Sequence, residues 1–258
     1  MKANVLDLQG KTIGQINLPQ QFAEPVREDL IKRAFHAHAS LYFQPKGSDP
    51  RAGLKTTAEY YGRRHSWRQT INTGRSRLPR EKIPGGKLGR VLRVPHAVKG
   101  RRAHPPKPEK KIIEKINLKE RAKAVRSALS ASVDPDFVSK KHLFDASLPL
   151  IVSDEFESLK KSKDVVKTLG FLGLSRDLER VASRSKRTSG IKRLRGRAKR
   201  VPRSVLIIVA NDNGIVNASR NLSGVNVTTV DGLNASLVAP GGVAGRLMLW
   251  SKSAVEKL

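Results

Sequence analysis

Arg203-Ser204-Val205-Leu206-Ile207-Ile208-Val209-Ala210 is the stretch on which the fold turns. From Val205 to Ala210 no position is polar, so this is not the alternating pattern of a strand with one wet face. The run is short and rich in branched side chains, which predicts a strand buried on both faces. Asn213-Gly214 then turns the chain, a short helix is expected around 215–222, and Val225 to Val230 reads as another strand. Gly245 to Trp250 leads into a short C-terminal helix. Upstream, Leu148 to Val152 is a second short apolar run with the look of a buried strand. Ser162 and Ser175 are expected to be N-caps of two short helices, marked by Val165, Val166 and Leu169 and by Leu178 and Val181. Val26, Leu30, Ala34, Phe35, Leu41 and Tyr42 predict an amphipathic helix over 26–42, with Pro25 before it and Pro45 beyond. Leu118, Ala122, Val125 and Leu129 mark another, stopped before Asp134-Pro135. Strands alternating with helices predict an α/β fold, a single globular domain with a mostly parallel central sheet flanked by helices. A long basic loop is inserted in it.

That insert is visible in the charge distribution. The 258-residue chain has a formal net charge of +29, from 51 Lys and Arg against 22 Asp and Glu. Residues 44–111 hold 19 of the bases and four of the acids, and 184–203 hold ten bases and no acid, so these two segments supply +25. The remaining 170 residues are close to neutral. The expected organisation is therefore a globular domain made of 1–43 and 112–258, an extended loop over 44–111, and a second basic segment, 184–203, within the globular part. The loop also contains eight of the 14 prolines and eight of the 20 glycines, which argues against a core of its own and for a structureless stretch ordered by a partner. Going out and back, 68 residues would reach about 110 Å at most.

Several function classes are excluded at this level. With no cysteine there is no disulfide, thiolate nucleophile, Cys-type zinc site or iron–sulfur cluster. The start, Met1-Lys2-Ala3-Asn4-Val5, has no signal-peptide core, and the longest apolar run is too short to span a bilayer, so an intracellular protein is expected. Pro84-Gly85-Gly86-Lys87-Leu88-Gly89 lacks the spacing and the Ser/Thr of a P-loop. The glycines of Ala239-Pro240-Gly241-Gly242-Val243-Ala244-Gly245 do not match a dinucleotide fingerprint and read as a turn. The six histidines form no HExxH pair. Asp134 and Asp136 could imitate a nuclease's metal-binding pair, but Asp-Pro-Asp reads first as a helix-ending turn. No cofactor, metal or catalytic residue is expected; an RNA-processing enzyme and a free nucleic-acid binder stand as alternatives.

The cations suit a polyanion. In the loop the candidates are Arg51, Lys55, Arg63, Arg64, Arg68, Arg75, Arg77, Arg80, Lys87, Arg90, Arg93, Lys99, Arg101, Arg102 and Lys107. In the second segment they are Arg184, Lys186, Arg187, Lys192, Arg193, Arg195, Arg197, Lys199, Arg200 and Arg203. Arginine dominates around 63–80, where its planar fork can bridge phosphate oxygens or stack on a base. Tyr60, Tyr61 and Trp67 are interleaved there, a mixture suited to unstacked bases of folded RNA.

Val94-Pro95-His96-Ala97-Val98-Lys99-Gly100-Arg101-Arg102-Ala103-His104-Pro105-Pro106-Lys107 closely resembles the L-four family of large-subunit ribosomal proteins, in its archaeal and eukaryotic branch. So do Ala52 to Glu59, the helix from Lys119 to Ala131, Arg203 to Val209, Ser219 to Val225, and Ala239-Pro240-Gly241-Gly242 with Gly245-Arg246-Leu247. The resemblance implies a structural constituent of the cytoplasmic ribosome that binds large-subunit rRNA, His104 included, and supports early subunit assembly. It implies neighbouring large-subunit proteins and the nascent peptide as further partners, and no membrane. The loop's tip, Gly62 to Arg80, would help line the exit tunnel through Arg63, Arg64, His65, Trp67, Arg68, Thr73, Gly74 and Arg75. Arg184 to Arg203 resembles the family's second rRNA-contacting stretch. Family tips often carry a run of small residues, whereas this one reads Gly62-Arg63-Arg64-His65-Ser66-Trp67-Arg68-Gln69, a departure at the side chains that would face the tunnel.

Overall fold

The computed structural model describes residues 1–65 and 69–258. The chain divides into two compact units, one formed by Met1–Tyr42 with Ile113–Leu258 and the other by Phe43–Ile112. In chain order the elements are β1 (Lys2–Leu6), β2 (Thr12–Asn17), α1 (Glu28–Ser40), β3 (Arg80–Lys82), β4 (Leu88–Val91), α2 (Leu118–Ser130), α3 (Pro135–Ser139) and β5 (Leu150–Val152). They continue with α4 (Ser162–Phe171), α5 (Ser175–Arg184), β6 (Lys186–Arg187), α6 (Ile191–Leu194), β7 (Lys199–Arg200) and β8 (Leu206–Val209). The last are α7 (Ile215–Ser219), β9 (Asn226–Thr229), α8 (Ala235–Val238), β10 (Met248–Ser251) and α9 (Lys252–Lys257).

The first unit is an α/β domain built on a six-stranded sheet of order β2-β1-β5-β10-β8-β9. All neighbours run parallel except β1 and β2. The chain runs from β8 outward to β9, then returns to lay β10 between β5 and β8, so β10 is flanked on both sides. Because successive side chains point to opposite faces, the apolar strands build two cores. Ile151, Leu206, Ile208, Met248 and Trp250 face Ile31 of α1, Leu129 of α2, Val238 of α8 and Val255 of α9. Leu150, Val152, Val205, Ile207, Val209 and Leu249 face Val138 of α3, Val165 and Leu169 of α4, and Ile215 of α7.

The structure adjusts the expected elements in several places. Helix α1 is shorter than the 26–42 reading, and its buried side is Ile31, Ala34, Ala37 and Ser40 while Leu41 and Tyr42 are exposed. The inward side is made of small residues because Ala34, Ala124 and Ala235 let α1, α2 and α8 approach closely. Ser162 and Ser175 are the first helical residues rather than N-caps; the caps are Lys161 and Leu174, with no side-chain cap bond. The β1–β2 hairpin was not anticipated. Its signal was the alternation of exposed Lys2 and Asn4 with buried Ala3 and Val5.

Two serine side chains pin the two ends of α1, the second of them where the insert departs. Ser127 Oγ accepts from Arg27 N at 2.6 Å and donates to Pro25 O at 3.0 Å, joining α2 to the start of α1. At the far end of α1, Ser40 Oγ donates to Ala37 O at 2.7 Å and accepts from Glu114 N at 2.9 Å. The chain therefore leaves the first unit and re-enters it at one pinned point.

Candidate nucleic-acid interface

The second unit carries more local structure than its composition suggested. Strand β3 pairs antiparallel with β4 across the Pro84-Gly85-Gly86 turn. Glu59 and Arg80 exchange backbone hydrogen bonds at 3.1 and 3.2 Å, closing residues 60–79 into a loop. Ala58, Thr70 and Leu92 are buried. The prolines do not break this because they flank it: Pro79 precedes β3 and accepts from Leu92 N at 3.1 Å, and Pro84 opens the turn. Beyond β4, Ala97 N to Val94 O, Gly100 N to Ala97 O and Arg101 N to Arg93 O tie residues 93–101 into a closed loop. A side chain at Gly100 would place its Cβ 2.0 Å from Val94 O. Gly100→Ala is expected to open this loop without unfolding the first unit, read by hydrogen exchange as faster loss of protection at Ala97 and Arg101 than at Leu206.

The cations of this unit fall into two groups. Some are used internally. Arg80 reaches Gly89 O at 3.4 Å and Ser76 Oγ at 2.8 Å, and Arg93 holds Ala58 O at 2.9 Å. Lys55 pairs with Asp49, Arg90 with Glu81 at 3.7 Å, and Lys82 with Glu59 at 2.5 Å. The Lys82 ammonium, with the Tyr61 hydroxyl, holds the Glu59 carboxyl below its usual range. Tyr61 is engaged locally, its hydroxyl donating to Glu59 at 3.0 Å and its ring under Lys82, whereas Tyr60 is exposed. The other described cations are exposed and make no ion pair among the described residues: Lys46, Arg51, Arg63, Arg64, Arg75, Arg77, Lys87, Lys99, Arg101, Arg102, Lys107, Lys110 and Lys111, with His104 exposed beside them. Of the tip residues, His65 N donates to Gln69 at 3.2 Å, Thr73 Oγ1 donates to Thr70 O at 2.7 Å, and Gly74 is exposed; Trp67 and Arg68 lie outside the described residues.

The second basic segment belongs to the first unit and is a hairpin. Lys186 pairs with Arg200 and Arg187 with Lys199, and the one-turn helix α6 forms the tip. Arg184, Lys186, Arg187, Lys192, Arg193, Arg195, Arg197, Lys199, Arg200 and Arg203 are all exposed. Below the hairpin lies Asp177, fully buried. Its Oδ1 accepts from Arg180 Nε at 2.8 Å and Leu143 N at 3.1 Å and faces His142 Nδ1 at 3.2 Å; its Oδ2 accepts from Ser204 Oγ at 2.5 Å. Arg180 Nη2 in turn donates to Arg203 O at 2.9 Å. Burial raises the Asp177 carboxyl, but the bonds from His142, Arg180 and Ser204 outweigh it and hold the group well below the carboxylate range. The hairpin thus leaves from a rigid base.

The acidic positions with candidate chemistry are occupied by structure. Asp134 Oδ1 accepts from Asp136 N at 3.0 Å and caps α3, with Pro135 in the first turn. Among the described residues no three His, Cys, Asp or Glu gather as a metal site. Beyond the carboxyl ends of β8 and β10, where an open α/β sheet can receive a phosphate, the buried Glu157 carboxylate already accepts from Ala210 N at 2.8 Å and Ser251 Oγ at 2.6 Å. No helix is long and apolar enough to cross a membrane among the described residues.

Comparison with known proteins agrees with this geometry. The model of the ribosomal protein L4/L1 family matches residues 16–258. The chain belongs to that family. Its relatives include proteins named large ribosomal subunit protein uL4 from Methanocaldococcus jannaschii, 46% identical over 260 residues, and from Archaeoglobus fulgidus, 44% identical over 260; each alignment spans 100% of this chain and 98% of the relative. A third, from Methanoculleus marisnigri, is 44% identical over 259 residues with the same coverage. Membership in the L4/L1 family gives the chain a structural role in the ribosome.

Two of the stretches that carry the family likeness are packing devices. Gly242, in the turn before β10, lies against Lys32 and Phe35 of α1. Arg246 is buried, donating to Ser204 O at 3.2 Å, Leu237 O at 2.6 Å and Asn226 Oδ1 at 2.8 Å. Burial, then the nearby Arg203 charge, push its guanidinium downward. The L4/L1 chain thus uses one arginine to bind β8, β9 and α8 together, a role that its charge did not announce.

Proposed function

We propose that this chain is a constituent of the large ribosomal subunit that binds large-subunit rRNA and supports early subunit assembly. In this reading residues 44–111 penetrate the folded rRNA, their tip around 62–80 helps line the nascent-peptide exit tunnel, and 184–203 make a second rRNA contact. The partners are then the rRNA, neighbouring large-subunit proteins and the nascent peptide. The observation that carries the reading is the set of exposed cations in both segments that have no acidic partner among the described residues, mounted on locally closed backbone. Each phosphate they neutralise releases counterions and adds affinity. Support also comes from the names of the relatives, large ribosomal subunit protein uL4.

The test is sedimentation of native ribosomes through a sucrose gradient with a high-salt wash, for the wild type and for a chain in which residues 62–77 are replaced by a short Gly-Ser link. That cut leaves the Glu59–Arg80 closure in place. Both chains are expected to remain in the large-subunit peak after the wash, with the shortened one altering crosslinks from a stalled nascent peptide. Loss of the wild type at moderate salt would mean a peripheral contact, and absence from the peak would overturn the assignment.

A further inference from the structure

The tip of the 184–203 hairpin is an odd place for aliphatic side chains. Helix α6 presents Ile191 at 65% and Leu194 at 86% exposure, the latter the most exposed large apolar residue among those described. Three residues apart on one helical turn, the two share a face, with Lys192 and Arg193 between them. The turn is held in shape from outside that pair. Gly190 and Gly196 bracket it at φ of 62° and 74°, a backbone region that disfavours side chains. Gly196 N donates to Arg193 O at 3.2 Å, Arg197 N to Lys192 O at 3.0 Å, and Thr188 N to Ala198 O at 2.9 Å. At these exposures the Ile191 and Leu194 side chains bury little against the hairpin itself.

We propose that Ile191 and Leu194 form an apolar wedge that the hairpin inserts into the rRNA, against ribose faces or between bases exposed in a shallow minor groove. The proposal rests on the rRNA-binding reading above. Its chemistry is complementary. The 184–203 segment has ten Lys and Arg and no acid, so the surface around the wedge demands a polyanion rather than an ordinary protein face. Minor grooves of A-form RNA are wide, shallow and lined by sugars, and apolar side chains inserted at base steps are an established way to grip a groove. The arginines hold phosphates on either side while the wedge fills the space between.

The two contributions separate by salt dependence. Binding of the full chain to protein-free large-subunit rRNA is measured across a salt series for the wild type, the Ile191→Ser/Leu194→Ser double variant, the Ile191→Met/Leu194→Met double variant and Arg193→Ala. The serine pair is expected to bind roughly 10- to 100-fold more weakly with the salt slope unchanged, because apolar burial is lost and no phosphate contact is. The methionine pair, which restores apolar bulk, should stay within about threefold of wild type. Arg193→Ala should reduce the slope by about one contact. Unchanged urea midpoints would show that every variant is folded. A serine pair that binds like wild type overturns the wedge; if it is then washed from subunits that retain the wild type, the apolar tip meets a neighbouring protein instead. A serine pair with a reduced slope also overturns it, since the lost contact would be electrostatic. Failure of the wild type to bind the rRNA at all would fall on the rRNA-binding reading, and the wedge with it.

Discussion

Asp177→Ala is expected to destabilise the chain by about 3–5 kcal/mol, seen as a lower urea midpoint, because it leaves an arginine and several donors buried without their carboxylate. Asp177 is the common acceptor for Arg180, Ser204 and Leu143 N, and it touches His142, so one side chain joins α5, the segment after α3 and the entry to β8. Asp177→Asn keeps the shape and part of the hydrogen bonding, so its loss should be smaller. The pH dependence has a definite sign. The folded carboxyl sits below the ordinary value, near 4, that it takes in the unfolded chain. Its stabilisation is therefore complete above about pH 4 and is lost as the pH falls toward the folded value. The alanine variant lacks that contribution at every pH, so its stability should decline less steeply than the wild type's between about pH 4 and 2. An equal acid slope in both would show that the carboxylate is not the coupled group.

Trp250→Ala should cost a comparable amount, about 3–5 kcal/mol, for a different reason: it opens a cavity at a strand buried inside the sheet. Trp250 is 1% exposed, lies in β10 between β5 and β8, and meets Phe22 edge-to-face with ring centroids 5.3 Å apart. Its indole N–H finds no acceptor among the described residues. Trp250→Phe should accordingly lose less than about 1.5 kcal/mol, since it keeps the ring contact and removes an unpartnered donor. Thermal or urea unfolding of the two variants separates the cavity from the lost N–H. A phenylalanine variant as unstable as the alanine one would mean that the N–H has a partner.

How much of this was legible before the structure depends on where each signal lies. Strand β8 was plain because six apolar residues in a row leave no wet face, β5 followed from the short apolar run Leu148 to Val152, and β9 was expected within Val225 to Val230. The β1–β2 hairpin was missed although Ala3 and Val5 alternate with polar residues, because β2, Thr-Ile-Gly-Gln-Ile-Asn, is exposed along nearly its whole length and turns only Ile16 toward the core. The same holds for β6 and β7, where a ladder of Lys and Arg carries no periodicity at all. Counting charges located the two cationic segments. It did not separate Arg80 and Arg93, which hold backbone carbonyls, from Arg75 and Arg77, which are exposed, because that distinction belongs to tertiary contact. Arg246 and Asp177 were hidden for the same reason: a buried charge shows itself by its neighbours, and those lie 20 to 42 residues away in the chain for Arg246's bonds to Asn226 and Ser204.

The bond between Ser40 Oγ and Glu114 N has an evolutionary corollary. Since it draws the departing and returning ends of the chain together, the α/β unit experiences whatever lies between them as a ring already closed. The entropy of such a ring grows only with the logarithm of its length, so a twofold longer insertion would add about 0.6 kcal/mol to the cost of closure. Selection can then lengthen, shorten or rewrite the intervening residues to suit an external surface, while the sheet that bears them stays nearly indifferent to the change.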